Sequence, residues 1–242
     1  MLFKAYPVLF TTLMSGIEEN LSRLRAKIFK ACEKVKRNPQ EIKIVAVTKN
    51  VAVEKINEAL DCGIEIIGEN KVQEAQAKYD QIDKKVLWHL VGHLQTNKVK
   101  KALEIFEMIQ SVDSLKLAEE IDRRAKEKNE IFPILIEVNT SGEPTKYGVK
   151  PEQTENLIRE MQKLENLRIR GLMTVGPASD DKQKVRQAFR QLRGIYEKLE
   201  KVKMSNLELE YLSMGMSSDF EEAIEEGSNM LRIGTAIFGP RS

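Results

Sequence analysis

Apolar, β-branched runs alternate along the chain with longer amphipathic stretches rich in charge. The eight runs lie at 42–49, 64–70, 86–92, 106–112, 132–140, 167–175, 207–215 and 230–239. Short runs rich in Val, Ile and aromatic residues predict buried strands, and the stretches between them, such as "SLKLAEEIDRRAKEK", predict helices. The pattern therefore predicts a regular succession of strand and helix.

Eight strands that alternate with helices favour a single (β/α)8 barrel of the TIM type. An open, doubly wound sheet is the main alternative, but it favours fewer strands and a glycine-rich turn after the first, which this sequence lacks. An extra amphipathic helix over about 16–37, capped by Ser15, precedes the first strand. We expect this N-terminal helix to close the bottom of the barrel and leave its top open.

The chain shows no linker-like or low-complexity segment, so we predict one domain over residues 14–242. Residues 1–13 contain an apolar stretch broken by Tyr6 and Pro7, with no clear small-residue cleavage site after it. We interpret them as a leader or an upstream-start extension. Their deletion should leave folding and ligand binding intact.

Charge and cysteine content narrow the class of protein. Lys and Arg number 39 and Asp and Glu 37, a net charge of +2, which gives no sign of a nucleic-acid-binding surface. No apolar stretch reaches the length of a membrane span. Cys32 and Cys62 suggest no disulfide framework, and His89 and His93 have no third metal ligand nearby. We expect a cytoplasmic protein without a metal site.

The first strand ends on Lys49, and barrels of this type place their chemistry where strands meet the loops that follow. Lys49 shares strand parity with Val45 and Val47, so it should point the same way as they do. If that side faces inward, the lysine lies at the barrel mouth above packed valines. A partly desolvated amine there is a nucleophile toward carbonyl groups.

The last two strands end in residues that suit an anion. "SMGMSSDFEEAI" runs through Gly215 into a helix that we predict to open at Ser217 and Ser218, with Glu221 completing a capping box. "RIGTAIFG" adds Gly234, which permits close backbone approach, and Thr235 as a further donor. Because loops after strands 7 and 8 of such barrels frequently hold phosphate, we predict a phosphate site here.

A lysine nucleophile opposite a phosphate site leaves two ligand classes open. One is a sugar phosphate that forms a Schiff base, and the other is pyridoxal 5′-phosphate (PLP), whose aldehyde takes the lysine. Arg232 lies two residues before Gly234 and could reach a ring nitrogen. An arginine there would keep a pyridine nitrogen unprotonated.

Motifs along most of the chain resemble one family. They are "AVTK", "IGENKVQEAQAK", "WHLVGHLQTNK", "SVDS", "LIEVNTSGEPTKYGV", "GLMTVGP", "LSMGMSSDFEEAI" and "RIGTAIFG", which occur in that order over about 15–240. Together they resemble the YggS/PROSC family of pyridoxal phosphate homeostasis proteins. The resemblance implies a single (β/α)8 barrel, related to the N-terminal domain of alanine racemases, that binds PLP as an internal aldimine.

The resemblance also implies a set of cofactor-binding residues. Lys49 would form the Schiff base, and Arg232 would face the pyridine nitrogen. The phosphate would be held by Ser217, Gly234 and Thr235, with Met216 and Ser218 close by; Asn70, Met173 and Ser213 would line the pocket. His93 departs from the family pattern, because "GPLQ" is more usual than the "GHLQ" found here.

Alanine racemases carry a second catalytic base on a C-terminal domain, and we expect no such domain in this protein, because the sequence ends three residues after Gly239. We therefore expect a monomeric PLP-binding protein of PLP homeostasis that buffers the cofactor or delivers it to apo-PLP enzymes. It would affect amino- and keto-acid metabolism indirectly and catalyse no dedicated reaction. The alternatives are a weak amino-acid racemase or other Schiff-base enzyme, and a scaffold that uses the cofactor as a sensor ligand.

Overall fold

The computed structural model describes residues 16–82 and 84–240. The strands are β1 (Lys43–Val47), β2 (Ile66–Glu69), β3 (Leu87–Leu90), β4 (Met108–Val112), β5 (Phe132–Glu137), β6 (Leu167–Met173), β7 (Leu207–Ser213) and β8 (Met230–Ile233). The helices are α1 (Gly16–Lys34), α2 (Val53–Asp61), α3 (Val72–Tyr79), α4 (Val99–Ala102), α5 (Leu115–Glu127), α6 (Thr154–Glu160), α7 (Lys182–Leu199), α8 (Phe220–Glu225) and α9 (Thr235–Phe238).

The strands form a closed parallel barrel in sequence order. Each strand pairs with the next, and β1 closes the barrel by pairing with β8, where Val45 lies beside Arg232. The predicted (β/α)8 barrel is confirmed, and the open sheet is excluded. All carboxyl ends of the strands therefore meet at one rim, which is the rim where we expected the site.

Alternation along each strand divides the core into two layers. One set of buried residues fills the barrel interior: Val45, Ile66, Met108, Leu135, Met173 and Met230. The residues between them, such as Ala46, Ile67 and Ile136, face outward and pack against the helices. A parallel barrel buries both faces of its strands, which explains why the strands have near-continuous apolar sequences.

The N-terminal helix does not close the bottom of the barrel, so that expectation was wrong. α1 packs along the side of the barrel against α8 and α9. Near its start, Asn20 donates to the Ile237 carbonyl (2.9 Å) at the top, and just beyond its end Arg37 donates to the Ser228 carbonyl (2.7 Å) below. Because α9 is only four residues long, β8 lacks a full covering helix, and α1 takes that place.

Ser15, predicted as the cap of α1, and the segment 1–13 lie outside the described residues. Cys32 and Cys62 are free thiols, and burial raises the pKa of each. Within residues 16–82 and 84–240, no helix is both long and apolar enough to cross a membrane.

Candidate functional site

A cavity of about 580 Å³ opens at the carboxyl ends of the strands. Its lining consists of Val47, Asn70, Val91, Val175, Met216, Ser217, Ser218, Arg232, Gly234 and Thr235. These residues come from strands on both sides of the barrel, and most of the polar ones follow β7 and β8. The barrel thus brings together Asn70, Arg232 and the predicted phosphate residues around one cavity.

The loop after β7 is shaped by Gly215, whose φ is +96°. A Cβ at this position would lie 2.6 Å from the Ala223 Cβ and 3.1 Å from the Phe220 Cα. Only glycine fits, because both the backbone conformation and the close packing of α8 exclude a side chain. Gly215 thereby lets the chain turn sharply from the barrel wall to Met216 and Ser217 at the cavity.

The capping box predicted for the next helix was wrong. α8 begins at Phe220, and its cap residue is Asp219, while Ser217 and Ser218 form the preceding turn. The Met216 amide donates to Asp219 Oδ1 (2.6 Å), which closes this turn. Asp219 is the cap residue of α8, and its carboxylate also accepts the turn's backbone hydrogen bond. Ser217 and Ser218 are therefore not needed as helix caps and line the cavity instead.

The loops after β7 and β8 are joined and present free donors. The Ala236 amide donates to Ser217 Oγ (3.1 Å). Among the hydrogen bonds of the described residues, none uses the backbone N–H of Ser217, Ser218, Gly234 or Thr235. These N–H groups and the neighbouring hydroxyls are suited to an anion with several oxygens.

The cavity floor is formed by Arg232, which is 4% exposed. Its guanidinium donates to Ser213 Oγ (2.8 Å) and to the Thr174 carbonyl (2.6 Å). Burial lowers the pKa of Arg232 to about 10, so it stays charged at neutral pH. The carboxylates of Glu137 and Asp219 oppose this shift. A fixed cation therefore lies beneath the cavity.

A hydrogen-bonded chain continues from Arg232 across the barrel interior. Ser213 contacts Gln110 Oε1 (2.7 Å), and Gln110 Nε2 contacts His89 Nδ1 (2.9 Å). Burial lowers the pKa of His89 to about 4, so its ring is neutral. The sequence predicted Ser213 as a cavity residue, but the structure places it below the cavity, where it supports Arg232.

Met173 and Lys49 also lie outside the cavity lining. Met173 is fully buried in the inner layer beside Leu135 and Met230. β1 ends at Val47 rather than at 49, so Lys49 lies in a turn just beyond it and is half-buried. The strand parity that we expected for Lys49 thus holds only as far as Val47, which lines the cavity. The roles of both residues in binding stay predictions.

A buried carboxyl that the sequence analysis missed is Glu137 at the end of β5. It is 6% exposed, and the register of Val112 with Ile136 places Asp113, the first residue after β4, beside it. Burial and the Asp113 charge raise the pKa of Glu137 to about 7, while the Arg232 charge acts in the opposite direction. The sequence could have indicated this position. Leu135 faces the barrel interior, and Glu137 lies two residues further along the same strand, so its side chain points to the same side.

A second missed group is a buried polar cluster behind Lys49, formed by Thr48, Glu69, Glu74 and Lys78. Lys78 belongs to α3, and its ammonium reaches Glu69 Oε1 (2.7 Å) and Glu74 Oε1 (2.8 Å). Thr48 donates to Glu69 Oε1 (2.7 Å). The sequence could have indicated Glu69, because it lies two residues after Ile67 on the outward-facing side of β2, which is buried against the helices. An acidic residue in such a position needs a polar partner.

Comparison with known proteins identifies the family. The family model of the alanine racemase N-terminal domain matches residues 18–242. The chain belongs to this family. A pyridoxal phosphate homeostasis protein of Aquifex aeolicus is 44% identical over 224 residues, which cover 92% of this chain and 97% of that relative.

Solved structures agree with this assignment. PipY of Synechococcus elongatus, solved with PLP bound, is 34% identical with a TM-score of 0.80, covering 92% of this chain and 100% of PipY. An alanine racemase of Clostridium difficile is 18% identical with a TM-score of 0.74, covering 92% of this chain and 60% of the racemase. The racemase likeness shows the shared barrel fold alone.

Replacing Gly215 with alanine is expected to destabilise the fold and the cavity rim. A left-handed backbone costs a residue with a Cβ about 1–2 kcal/mol, and the overlap with Ala223 adds to this. We expect a loss of about 2 kcal/mol or more in the free energy of unfolding, measured by urea denaturation. Gly194→Ala in α7 is the control, because its Cβ meets no atom within 4 Å. Equal stability of the two variants would contradict this account.

Proposed function

We propose that this protein binds PLP and serves PLP homeostasis, by holding the cofactor and releasing it to enzymes that need it. The observation that carries the proposal is the cavity at the barrel rim, where free N–H groups lie on one side and Arg232 forms the floor. The PLP-bound relative PipY, similar over its whole length, supports the same ligand. The names of the curated relatives support the homeostasis role.

The donors of the cavity suit the two ends of PLP. The free N–H groups at Ser217, Ser218, Gly234 and Thr235, with the Ser218 and Thr235 hydroxyls, would bind its phosphate. Arg232 would face its ring nitrogen, and Asn70 would contact the ring from the β2 side. A guanidinium can only donate hydrogen bonds. A ring nitrogen facing Arg232 would therefore have to accept one, and so would stay unprotonated.

When bound, PLP supplies an aldehyde carbon that forms an imine with a primary amine. We propose that Lys49 provides this amine, because it follows the cavity residue Val47 by two positions at the same rim. Met173 and Ser213 would act from below, by packing and by fixing Arg232. We further propose that the protein is a cytoplasmic monomer and that it transfers PLP to apo-PLP enzymes.

Cofactor transfer tests the proposed role. Protein loaded with PLP and freed of excess cofactor is mixed with an apo-aminotransferase, and the return of aminotransferase activity is followed beside the same concentration of free PLP. We expect the loaded protein to restore activity. Lys49→Ala protein carried through the same loading is the control and should restore little.

The contrary results are equally plain. Loaded protein that leaves the apo-aminotransferase inactive, while free PLP restores it, would refute delivery. Steady conversion of an L-amino acid to its D-form at ordinary enzyme rates of about 1–10³ per second would favour a racemase instead.

A further inference from the structure

Lys78 lies in an unusual place for a lysine, between the barrel wall and α3. It is 8% exposed, and its ammonium donates to the Thr48 carbonyl (2.7 Å), Glu69 Oε1 (2.7 Å) and Glu74 Oε1 (2.8 Å). These contacts use all three donors of the ammonium group. The residue is therefore fixed in one position, although a lysine on an amphipathic helix ordinarily extends into solvent.

The same cluster holds the backbone on both sides of Lys49. On the N-terminal side, the Thr48 carbonyl accepts from Lys78 and the Thr48 hydroxyl donates to Glu69 (2.7 Å). On the C-terminal side, the Asn50 amide donates to Glu74 Oε1 (2.6 Å). Both peptide groups that flank Lys49 are thus bound, directly or through a carboxylate, to the Lys78 ammonium.

The turn needs such support, because Asn50 has a φ of +57°. A left-handed residue other than glycine persists where surrounding contacts determine its conformation. The hydrogen bond from the Asn50 amide to Glu74 supplies one such contact. The Cα–Cβ bond of Lys49 is oriented by the two peptide groups beside it, and both are held by the cluster.

Stability alone does not explain the cluster. Replacing a buried ion pair with apolar residues of similar size is often neutral or stabilising. Glu69 is fully buried, and its Oε2 has no hydrogen-bond partner among the described residues. A buried carboxylate oxygen without a partner is a cost to folding, which indicates that the cluster has a role other than stabilisation.

We propose that Lys78 is a positioning residue for Lys49: its ammonium fixes the turn 48–50 and so directs the Lys49 amine toward the cavity. The inference rests on the proposed function of Lys49 as the residue that takes the PLP aldehyde. Lys78 itself does not contact the cofactor, since it lies on the outer side of the strands. Displacement of a reacting group by about 1 Å can lower a rate by about a hundredfold.

The first experiment compares Lys78→Met with Lys84→Met. Lys84 is a matched control, because it also binds a backbone carbonyl, that of Asn57 (3.1 Å), and a carboxylate, that of Asp61, but at a site remote from Lys49. PLP is added to each protein, and both the rate at which the imine absorbance appears and the dissociation constant are measured. We expect Lys78→Met to form the imine about ten to a hundred times more slowly than wild type. Lys84→Met should match wild type.

A second variant separates positioning from folding, because Lys78→Met leaves buried carboxylates without their cation. Glu69→Leu with Lys78→Met removes both buried charges and leaves Glu74 partly open to water. We expect this double variant to melt within a few degrees of wild type and still to bind PLP weakly. Amide hydrogen exchange at Asn50 in the PLP-free protein should be faster in the double variant than in wild type.

The outcomes distinguish this inference from the proposed function. A folded double variant with wild-type PLP affinity and wild-type protection of Asn50 would overturn the role of Lys78. If wild-type protein forms no imine at Lys49, the proposed function fails instead. In that case the Asn50 exchange still decides whether Lys78 fixes the turn.

Discussion

Replacing Lys49 with alanine is expected to abolish covalent attachment of PLP while leaving the barrel folded. Lys49 is half-buried in a turn beyond β1, makes no hydrogen bond among the described residues and belongs to neither core layer. Its replacement therefore removes the amine from the barrel rim and leaves the packing of the core unchanged. Wild-type protein should be yellow with PLP, and borohydride should fix the cofactor to the peptide that contains Lys49.

Lys55→Ala is a suitable control for this experiment. Lys55 lies at a neighbouring groove that shares Val47 and Gly234 with the cavity, so it is another lysine near the rim. The Lys55→Ala protein should keep the imine absorbance and the borohydride-fixed label. Unchanged absorbance in Lys49→Ala, or a label that maps to Lys55, would refute the assignment.

Glu137→Gln is expected to stabilise the protein at neutral and alkaline pH. Burial and Asp113 raise the pKa of this carboxyl from 4.5 to about 7. Because the folded-state pKa is raised, its contribution to stability is fully present below pH 4.5 and is lost as the pH rises through 7. Glutamine resembles the protonated carboxyl and keeps that stability. At 1.36 kcal/mol per unit, the variant should gain about 3 kcal/mol at pH 8 and almost nothing at pH 4.

Chemical denaturation at a series of pH values measures this difference. Glu152→Gln, which alters an exposed carboxylate, controls for the loss of one negative charge and should differ little from wild type at any pH.

His89 gives the Glu137→Gln variant a second expected difference from wild type, in acid. Burial lowers its pKa from 6.5 to about 4, so its contribution to stability is lost as the pH falls between these values. Glu137 opposes that loss, and the variant should therefore weaken in acid more steeply than wild type.

The sequence predicted the barrel because strands buried on both faces leave long apolar runs at regular intervals. The run at 42–49 contains β1, and the run at 207–215 contains β7. The last run was predicted too long, because "TAIF" forms α9 instead of strand. A short apolar segment does not distinguish strand from helix by periodicity, and only tertiary packing decides between them.

The cavity was predictable to the extent that strand order fixes it. Carboxyl ends of parallel strands meet at one rim, so Asn70, Ser217 and Gly234 were expected together and lie together. Which of several adjacent polar residues caps α8 was not predictable, since Ser218 and Asp219 are both competent caps. Nor was the burial of Lys78, because it depends on the packing of α3 against β2 and not on the helix's own pattern.

The chain of hydrogen bonds across the barrel has a fixed direction. Arg232 can only donate, so the Ser213 hydroxyl accepts from it and donates to Gln110, whose amide then donates to His89 Nδ1. The proton of the neutral imidazole must therefore lie on Nε2. The nitrogen chemical shifts of His89 should therefore show the Nε2–H form. That signal would report that the hydrogen-bonded chain is intact and that Arg232 keeps its orientation at the cavity floor.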